Sequence, residues 1–351
     1  MASPHAITDP ATRGWVRMVG GPGTGKTSLL VDAAAARIVA GAKPESVLLL
    51  CPTSQTAIRT RRALARRLTS HGRGPVIREP LVRTVHSYAF AVLRLAAQRA
   101  GDPPPRLVTG TEQDGIIREL LAGDLADGQR SAVAWPELLR PALTTAGFAT
   151  QLRDLLARCA ERGVDGLQLQ RIGRLRGRPE WVAAGQFAQQ YEQVMLLRAA
   201  AGRAAPQATV PALGAAELIG AALDAFATDR GLLGAERDRV RILLVDDGQH
   251  LDPQAAQLVA AIAGGTVVTI VAGDPNQTVF GFRGAQPTLL STDGDQVVAL
   301  RKSHRCAPVI ASAVSAVASR LPGVGPGRTI EGTGDSPGSF AVRLASSEHA
   351  E

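Results

Sequence analysis

Lysine is nearly missing from this chain. Of 39 basic residues only Lys26, Lys43 and Lys302 are lysines, and the rest are arginines. Aromatic residues make up 3% of the chain, so any aromatic that falls inside a motif is informative. Cysteine is scarce as well. Cys51, Cys159 and Cys306 lie far apart and form no C-x-x-C pair, which argues against a cysteine metal centre and a disulfide framework. No apolar run is long enough to cross a bilayer, so no membrane partner is expected. The first residues carry no charged-then-apolar leader, and the expectation is a cytoplasmic protein.

A chain of 351 residues, 45% hydrophobic, can bury the cores of two or three compact units. The formal charge is +8 and the pI about 10.3. Two readings of that charge stand: an acidic polymer as partner, or an arginine-rich solvated surface.

The most specific stretch is Gly20-Gly21-Pro22-Gly23-Thr24-Gly25-Lys26-Thr27-Ser28, which fits G-x-x-x-x-G-K-[ST]. Trp15 to Val19 alternates as a short strand does, and Leu29 to Ile38 is rich in alanine and leucine, as a helix is. Strand, glycine loop and helix together make a phosphate cradle. The loop turns several N–H groups toward one anion, and the helix N-terminus adds positive potential. In that cradle Lys26 reaches the β- and γ-phosphates and the Thr27 hydroxyl ligates Mg²⁺, so ATP and Mg²⁺ are the expected cofactors. A glycine-rich turn that binds nothing would not need those flanks.

Further buried-strand runs occur at Val47–Leu50, Leu81–Thr84, Val240–Val245, Thr266–Ala272 and Val297–Leu300. The first hundred residues repeat strand, loop and helix, which predicts an α/β fold with a parallel sheet. Gly101 to Pro105 is a stiff break. From 101 to 205 apolar residues recur at helical spacing, as at Leu152, Leu155, Leu156 and Cys159, and no strand is evident. This segment is expected to be a helical insertion. Arg171, Arg174, Arg176 and Arg178 within it face either a nucleic-acid backbone or solvent. Ala201 to Pro211 reads as a return linker, Pro322 to Gly338 as a Gly/Pro-rich loop, and Phe340 to Leu344 as the start of a strand. The expected division is 1–100 and 206–300 for the two parts of one nucleotide-binding domain, 101–205 for the insertion, and 301–351 for the start of a second domain.

Hydrolysis at such a cradle needs a metal carboxylate, a group that handles water, and a cation for developing charge. Asp246 closes a buried strand and is the candidate Mg²⁺ carboxylate. Asp247 beside it is the candidate to orient or deprotonate water. Gln277 is a neutral candidate sensor of the γ-phosphate, and Arg283 and Arg305 are the candidate cations.

With these motifs the chain resembles superfamily 1A DNA helicases of the UvrD/Rep/RecB type over residues 14 to 320. Gly20 to Ser28 matches motif I. Cys51-Pro52-Thr53-Ser54 with its basic helix is similar to motif Ia, and Thr84 to Ala89 (TVHSYA) to the T-F-H-S-F-A segment. Val245 to Gln249 corresponds to the D-E-x-Q box, and Ser303 to Arg305 to motif IV. The most diagnostic string is Gly273 to Ala285, GDPNQTVFGFRGA, which resembles motif III and argues against an unrelated P-loop kinase or nucleotidase. The wording of the insertion is most similar to actinobacterial helicase–nucleases of the AdnAB type.

The resemblance implies a RecA-like P-loop NTPase sheet with an inserted all-helical subdomain, 1B, and the start of a second RecA-like domain, 2A. It implies an ATP-driven motor translocating 3′ to 5′ on single-stranded or duplex-end DNA, nucleoid-associated and active in repair or recombination. A second helicase–nuclease subunit is the protein partner it suggests. It places Thr53, His86, Tyr88 and Phe282 along the DNA track; core packing is an equal reading for Tyr88 and the lesser one for Phe282, which stands between Gly281 and Arg283. The chain departs from the family at named positions. The first glutamine is Gln55, so no adenine-reading glutamine precedes motif I. Asp247 stands where the family has Glu, and His250 where it has an acid. Motifs V and VI are not in the sequence, which is expected to be the N-terminal motor lobe of a longer protein. A weakly hydrolysing ATP- and DNA-binding subunit is therefore the second expectation.

Overall fold

A computed structural model describes residues 3–70, 81–203, 212–281, 284–290, 296–322, 326–334 and 336–341. The strands are β1 (Gly14–Gly20), β2 (Val47–Cys51), β3 (Val82–Thr84), β4 (Arg106–Leu107), β5 (Ala212–Leu213), β6 (Ile242–Val245), β7 (Val268–Gly273), β8 (Gln296–Leu300), β9 (Lys302–Ser303) and β10 (Glu331–Gly332). Six of them form one sheet in the order β3-β2-β6-β7-β1-β8, parallel throughout.

The apolar runs are continuous because both faces of this sheet are covered. Val47, Leu49 and Cys51 point to one core, and Leu48 and Leu50 to the other. The same alternation divides β6: Ile242 and Leu244 join the first core, Leu243 and Val245 the second. Helices Lys26–Val39 and Ser54–Ser70 cover the first face; Val85–Ala100, Glu217–Thr228 and Pro253–Ala263 cover the second. The N-terminal segment is docked as well. Arg37, 3% exposed, donates to Ile7 O at 2.9 Å and Asp9 O at 3.1 Å, and Ile7 enters the first core.

The insertion is helical as expected, with its own core around Trp135, Phe187, Leu152 and Ile117. Two details of the expectation are corrected. Arg106–Leu107 and Ala212–Leu213 do pair, as a parallel two-residue ladder that joins the entry of the insertion to its exit. Two residues are too few to show any alternation. Ala201 to Arg203 end the helix Pro179–Arg203 and are not linker; 204–211 lie outside the described residues. Beyond β8, Glu331–Gly332 returns from the Gly/Pro-rich stretch to pair with Lys302–Ser303. Phe340 and Ala341 are not strand, and 342–344 lie outside the described residues.

One buried carboxylate organises the insertion core. Asp124, 4% exposed, accepts from Trp135 Nε1 at 2.9 Å, Ser131 Oγ at 2.9 Å and Gln190 Nε2 at 3.1 Å. Asp124→Ala strands these donors, each loss costing about 1–3 kcal/mol when buried. The insertion should then lose about 2–4 kcal/mol in urea unfolding followed by tryptophan fluorescence. An unchanged midpoint would show that the network contributes nothing.

Candidate functional site

The helix Lys26–Val39 follows β1 after the glycine loop 21–25, and no side chain caps it. Gly25 before it has φ 85°, a left-handed backbone that side chains resist. The first-turn N–H groups are thereby left for an anion. Lys26 Nζ is folded onto the loop, donating to Gly20 O at 2.7 Å and Gly21 O at 3.0 Å. Burial lowers its pKa below the usual lysine value, against the pull of Asp274, Asp247 and Asp246.

Thr27 Oγ1 donates to Asp246 Oδ2 at 2.8 Å, reaching from the β1 loop to the end of β6. Asp246 is 1% exposed, and its second oxygen, Oδ1, is buried with no partner. A buried carboxylate oxygen with free lone pairs beside a hydroxyl is a hard-cation site. Among the described residues no group of three or more His, Cys, Asp or Glu could hold a metal. The protein thus offers a cation only two oxygens here. That suits Mg²⁺, which keeps most of its shell for water and phosphate. The residues present fit that ion.

Asp247 follows with φ 49° and ψ 47°, the one left-handed residue other than glycine among the described residues. Aspartate tolerates that region better than most side chains. Gln249 connects it to the next loop: Nε2 donates to Asp247 Oδ1 at 3.4 Å, while Oε1 accepts from Asp274 N at 3.0 Å. Asp274, 2% exposed, accepts in turn from Gln277 Nε2 at 2.7 Å and Asn276 N at 2.9 Å. His250 packs edge-on against Phe280, ring centroids 4.8 Å apart, so the β6 loop also touches the β7 loop.

The loop after β8 is fastened to the cradle. Ser303 Oγ donates to Pro22 O at 2.8 Å, and His304 N to Gly23 O at 2.9 Å. A Cβ on Gly23 would stand 2.7 Å from Ser303 Oγ and 3.1 Å from Arg305 N, so only glycine permits this approach. The result is a cleft of about 810 Å³ lined by Gly23 to Ser28, Asp247, Gln277 and Arg305. Among the described residues Arg305 makes no ion pair.

The sequence model of the UvrD/REP helicase N-terminal domain matches residues 4–297. The chain belongs to that family. No curated protein matches it. The six-stranded parallel sheet with helices around it is the RecA-like α/β helicase fold, and the family is one of DNA helicase motors. No helix among the described residues is long and apolar enough to cross a membrane.

The helicase domain brings Lys26, Thr27, Asp246, Asp247, Gln277 and Arg305 together around one cleft. The nucleic-acid candidates divide. Thr53 and His86 are exposed just after the C-terminal ends of β2 and β3, on the edge that carries the cradle. Tyr88 is 1% exposed and donates to Glu236 Oε2 at 2.7 Å, so it is corrected from a stacking ring to a core residue. Its one polar atom is spent on that bond, and its ring on the second core. Phe282 and Arg283 lie outside the described residues. Three residues went unnoticed as site residues: Asp274, which holds Gln277; Ser303, which fastens the last loop; and His304, which lines the cleft. Asp274 ends a buried strand as Asp246 does, and that signal could have found it.

Burial, with Asp247 adding to it, raises Asp246 from 3.8 to about 7, against the Thr27 hydrogen bond and Lys26. An acid raised in the folded state holds its proton more tightly there than when unfolded. Stability should therefore fall as pH rises from about 4 to about 7, and stay low above it. Asp246→Asn removes the charge. The variant should melt higher than the parent at pH 8, by up to about 4 kcal/mol, and equal it near pH 4. Identical melting curves at both pH values would refute the buried-charge account.

Proposed function

We propose that this chain is the ATP-binding lobe of a motor that travels along single-stranded DNA, 3′ to 5′ as in the helicases it resembles. One observation carries the reading. The loops after β1, β6, β7 and β8 deliver an ammonium, a hydroxyl, two carboxylates, an amide and a guanidinium to one cleft. That is the set phosphoryl transfer from a nucleotide needs.

Gly20 to Ser28 would hold the phosphates, and Thr27 with Asp246 a Mg²⁺ ion. Bound Mg²⁺ supplies neutralisation of phosphate charge. Lys26 exchanges the carbonyls of Gly20 and Gly21 for phosphate oxygens, which are anionic and therefore better acceptors. Asp247 orients the attacking water and takes its proton on a carboxylate oxygen. Gln277, held by Asp274, fixes the water and senses the γ-phosphate. Arg305 meets the charge that develops, with Arg283 as the second cation. Thr53 and His86, on the same edge, form the DNA track together with Phe282 of the motif III string, and residues from 301 onward begin the second RecA-like domain. The setting is DNA repair or recombination in the nucleoid, beside a second helicase–nuclease subunit of the AdnAB type.

The Asp247 carboxylate, one methylene shorter than the family's glutamate, favours a second reading. In it the chain is a weakly hydrolysing ATP- and DNA-binding subunit with a structural role.

Calorimetric titration with ATP and Mg²⁺ tests the site. Lys26→Ala should weaken binding by tenfold or more, roughly the worth of one charge-assisted contact. Equal affinity in variant and parent would sink the assignment. Asp247→Asn should bind within about threefold of the parent and hydrolyse roughly a hundredfold slower, the contribution of a positioned base. Asp247→Glu separates the two readings: faster DNA-stimulated hydrolysis marks the short side chain as a defect, and an unchanged or slower rate marks it as competent.

Anisotropy with a labelled oligonucleotide tests the track. Phe282→Ala should cost about 1–3 kcal/mol of affinity, the worth of one stacked base, at every salt concentration. Tyr88→Phe should cost none. Loss with Tyr88→Phe and none with Phe282→Ala would reverse the assignment.

A further inference from the structure

We infer that His250 is a positioning residue for hydrolysis: its Nε2 accepts a hydrogen bond from Gln249 and so keeps the Gln249 amide aimed at Asp247. The inference rests on the reading of Asp247 above as the group that handles water. It concerns how a short carboxylate on a left-handed residue is held in place.

The main chain fixes the orientation of the Gln249 amide. Oε1 lies 3.0 Å from the main-chain N of Asp274, and that N–H can only donate. The oxygen therefore belongs at Asp274, and the NH₂ group serves the other neighbours. Nε2 is 3.4 Å from Asp247 Oδ1 and 3.2 Å from His250 Nε2. An NH₂ group has two hydrogens and accepts nothing. One hydrogen serves the Asp247 carboxylate. The other needs a lone pair, and His250 Nε2 is the atom that stands there. A neutral imidazole leaves Nε2 free to accept only when its proton is on Nδ1. Burial favours the neutral ring by lowering its pKa below the usual histidine value, against the pull of Asp247.

The alternatives break the tie. With a proton on Nε2, the ring would set an N–H against the NH₂ of Gln249. Turning the amide over would set its NH₂ against the N–H of Asp274 and its oxygen against the Asp247 carboxylate. The tautomer that works leaves a cost on the far side of the ring. Nδ1 is buried and finds no partner among the described residues. Buried donors of that kind are uncommon and call for a reason. The bond on the other nitrogen supplies one. The ring is also held from the side: it stands edge-on against Phe280, centroids 4.8 Å apart, so Nε2 cannot swing away from Gln249 without breaking that contact.

DNA-stimulated ATP hydrolysis by the full chain tests this, beside calorimetric titration with ATP and Mg²⁺. His250→Leu keeps apolar bulk against Phe280 and removes the acceptor. It should bind ATP within about threefold of the parent and lose roughly ten- to a hundredfold in kcat, the range expected of a misplaced catalytic group. His250→Gln presents an oxygen at the reach of Nε2 and should stay within about threefold of the parent rate. In an Asp247→Asn background His250→Leu should cost nothing more, because the residue acts through Asp247. An unchanged kcat in His250→Leu, an equal loss in His250→Gln, or losses that multiply with Asp247→Asn each overturn the inference and leave the nucleotide site standing. A parent that fails to bind ATP overturns the nucleotide reading itself. A parent that binds without hydrolysing overturns the role of Asp247 and this inference with it. Nitrogen NMR of histidine-labelled protein needs no turnover. The resonances that vanish in His250→Gln should be those of a ring protonated on Nδ1 alone, and a proton on Nε2 refutes the inference.

Discussion

A hydroxyl and a carboxylate that are 219 residues apart in sequence meet at 2.8 Å. The contact between Thr27 and Asp246 exists only if β1 and β6 end level with one another on either side of β7. The ladders secure this by pairing Val19 with Gly273 and Val245 with Val271. A one-residue slip in either ladder would turn every side chain to the opposite face and part the two groups. The whole double-sided core, built from alternate residues of the same strands, is what holds that register.

The site is also an electrostatic compromise. Asp246, Asp247 and Asp274 all act on Lys26, and Arg305 lies beside the cradle at Gly23. Burial opposes charge on the acid and on the base alike: it lowers Lys26 against the pull of the three aspartates, and with Asp247 it raises Asp246 against the pull of Lys26. Lys26 lies on main-chain carbonyls and Thr27 on Asp246. A phosphate oxygen is anionic and a better acceptor than a carbonyl, so the two Lys26 bonds are the ones that phosphate would displace.

Much of this was legible in the sequence. Fully buried strands announce themselves as unbroken apolar runs, and the residues just past each run carry the chemistry. Lys26, Thr27, Asp246, Gln277 and Arg305 all obey that rule, and all line the cleft or join it. Tyr88 does not, because its partner Glu236 is 148 positions away and no local pattern reveals a buried hydroxyl. The ladder of Arg106–Leu107 with Ala212–Leu213 is invisible for a similar reason: its two halves flank the helical insertion and lie far apart in sequence. Asp247 lies between these cases. Its position in the motif was readable, whereas its left-handed backbone, which suits aspartate where the family has glutamate, is visible only in three dimensions.

The fastening of Ser303 and His304 to the carbonyls of Pro22 and Gly23 has a mechanical consequence. Two bonds, 2.8 and 2.9 Å long, weld the tip of one strand loop to the rim of the phosphate cradle. Five residues past Ser303 a thirteen-residue helix begins, Pro308–Arg320. The cradle rim cannot shift without dragging the root of that helix or breaking the weld. A rod of thirteen residues at about 1.5 Å per residue turns a displacement of one ångström at its root into a larger sweep at its tip. The loop that grips phosphate is in that sense also the short arm of a lever, with the helix Pro308–Arg320 as its long arm.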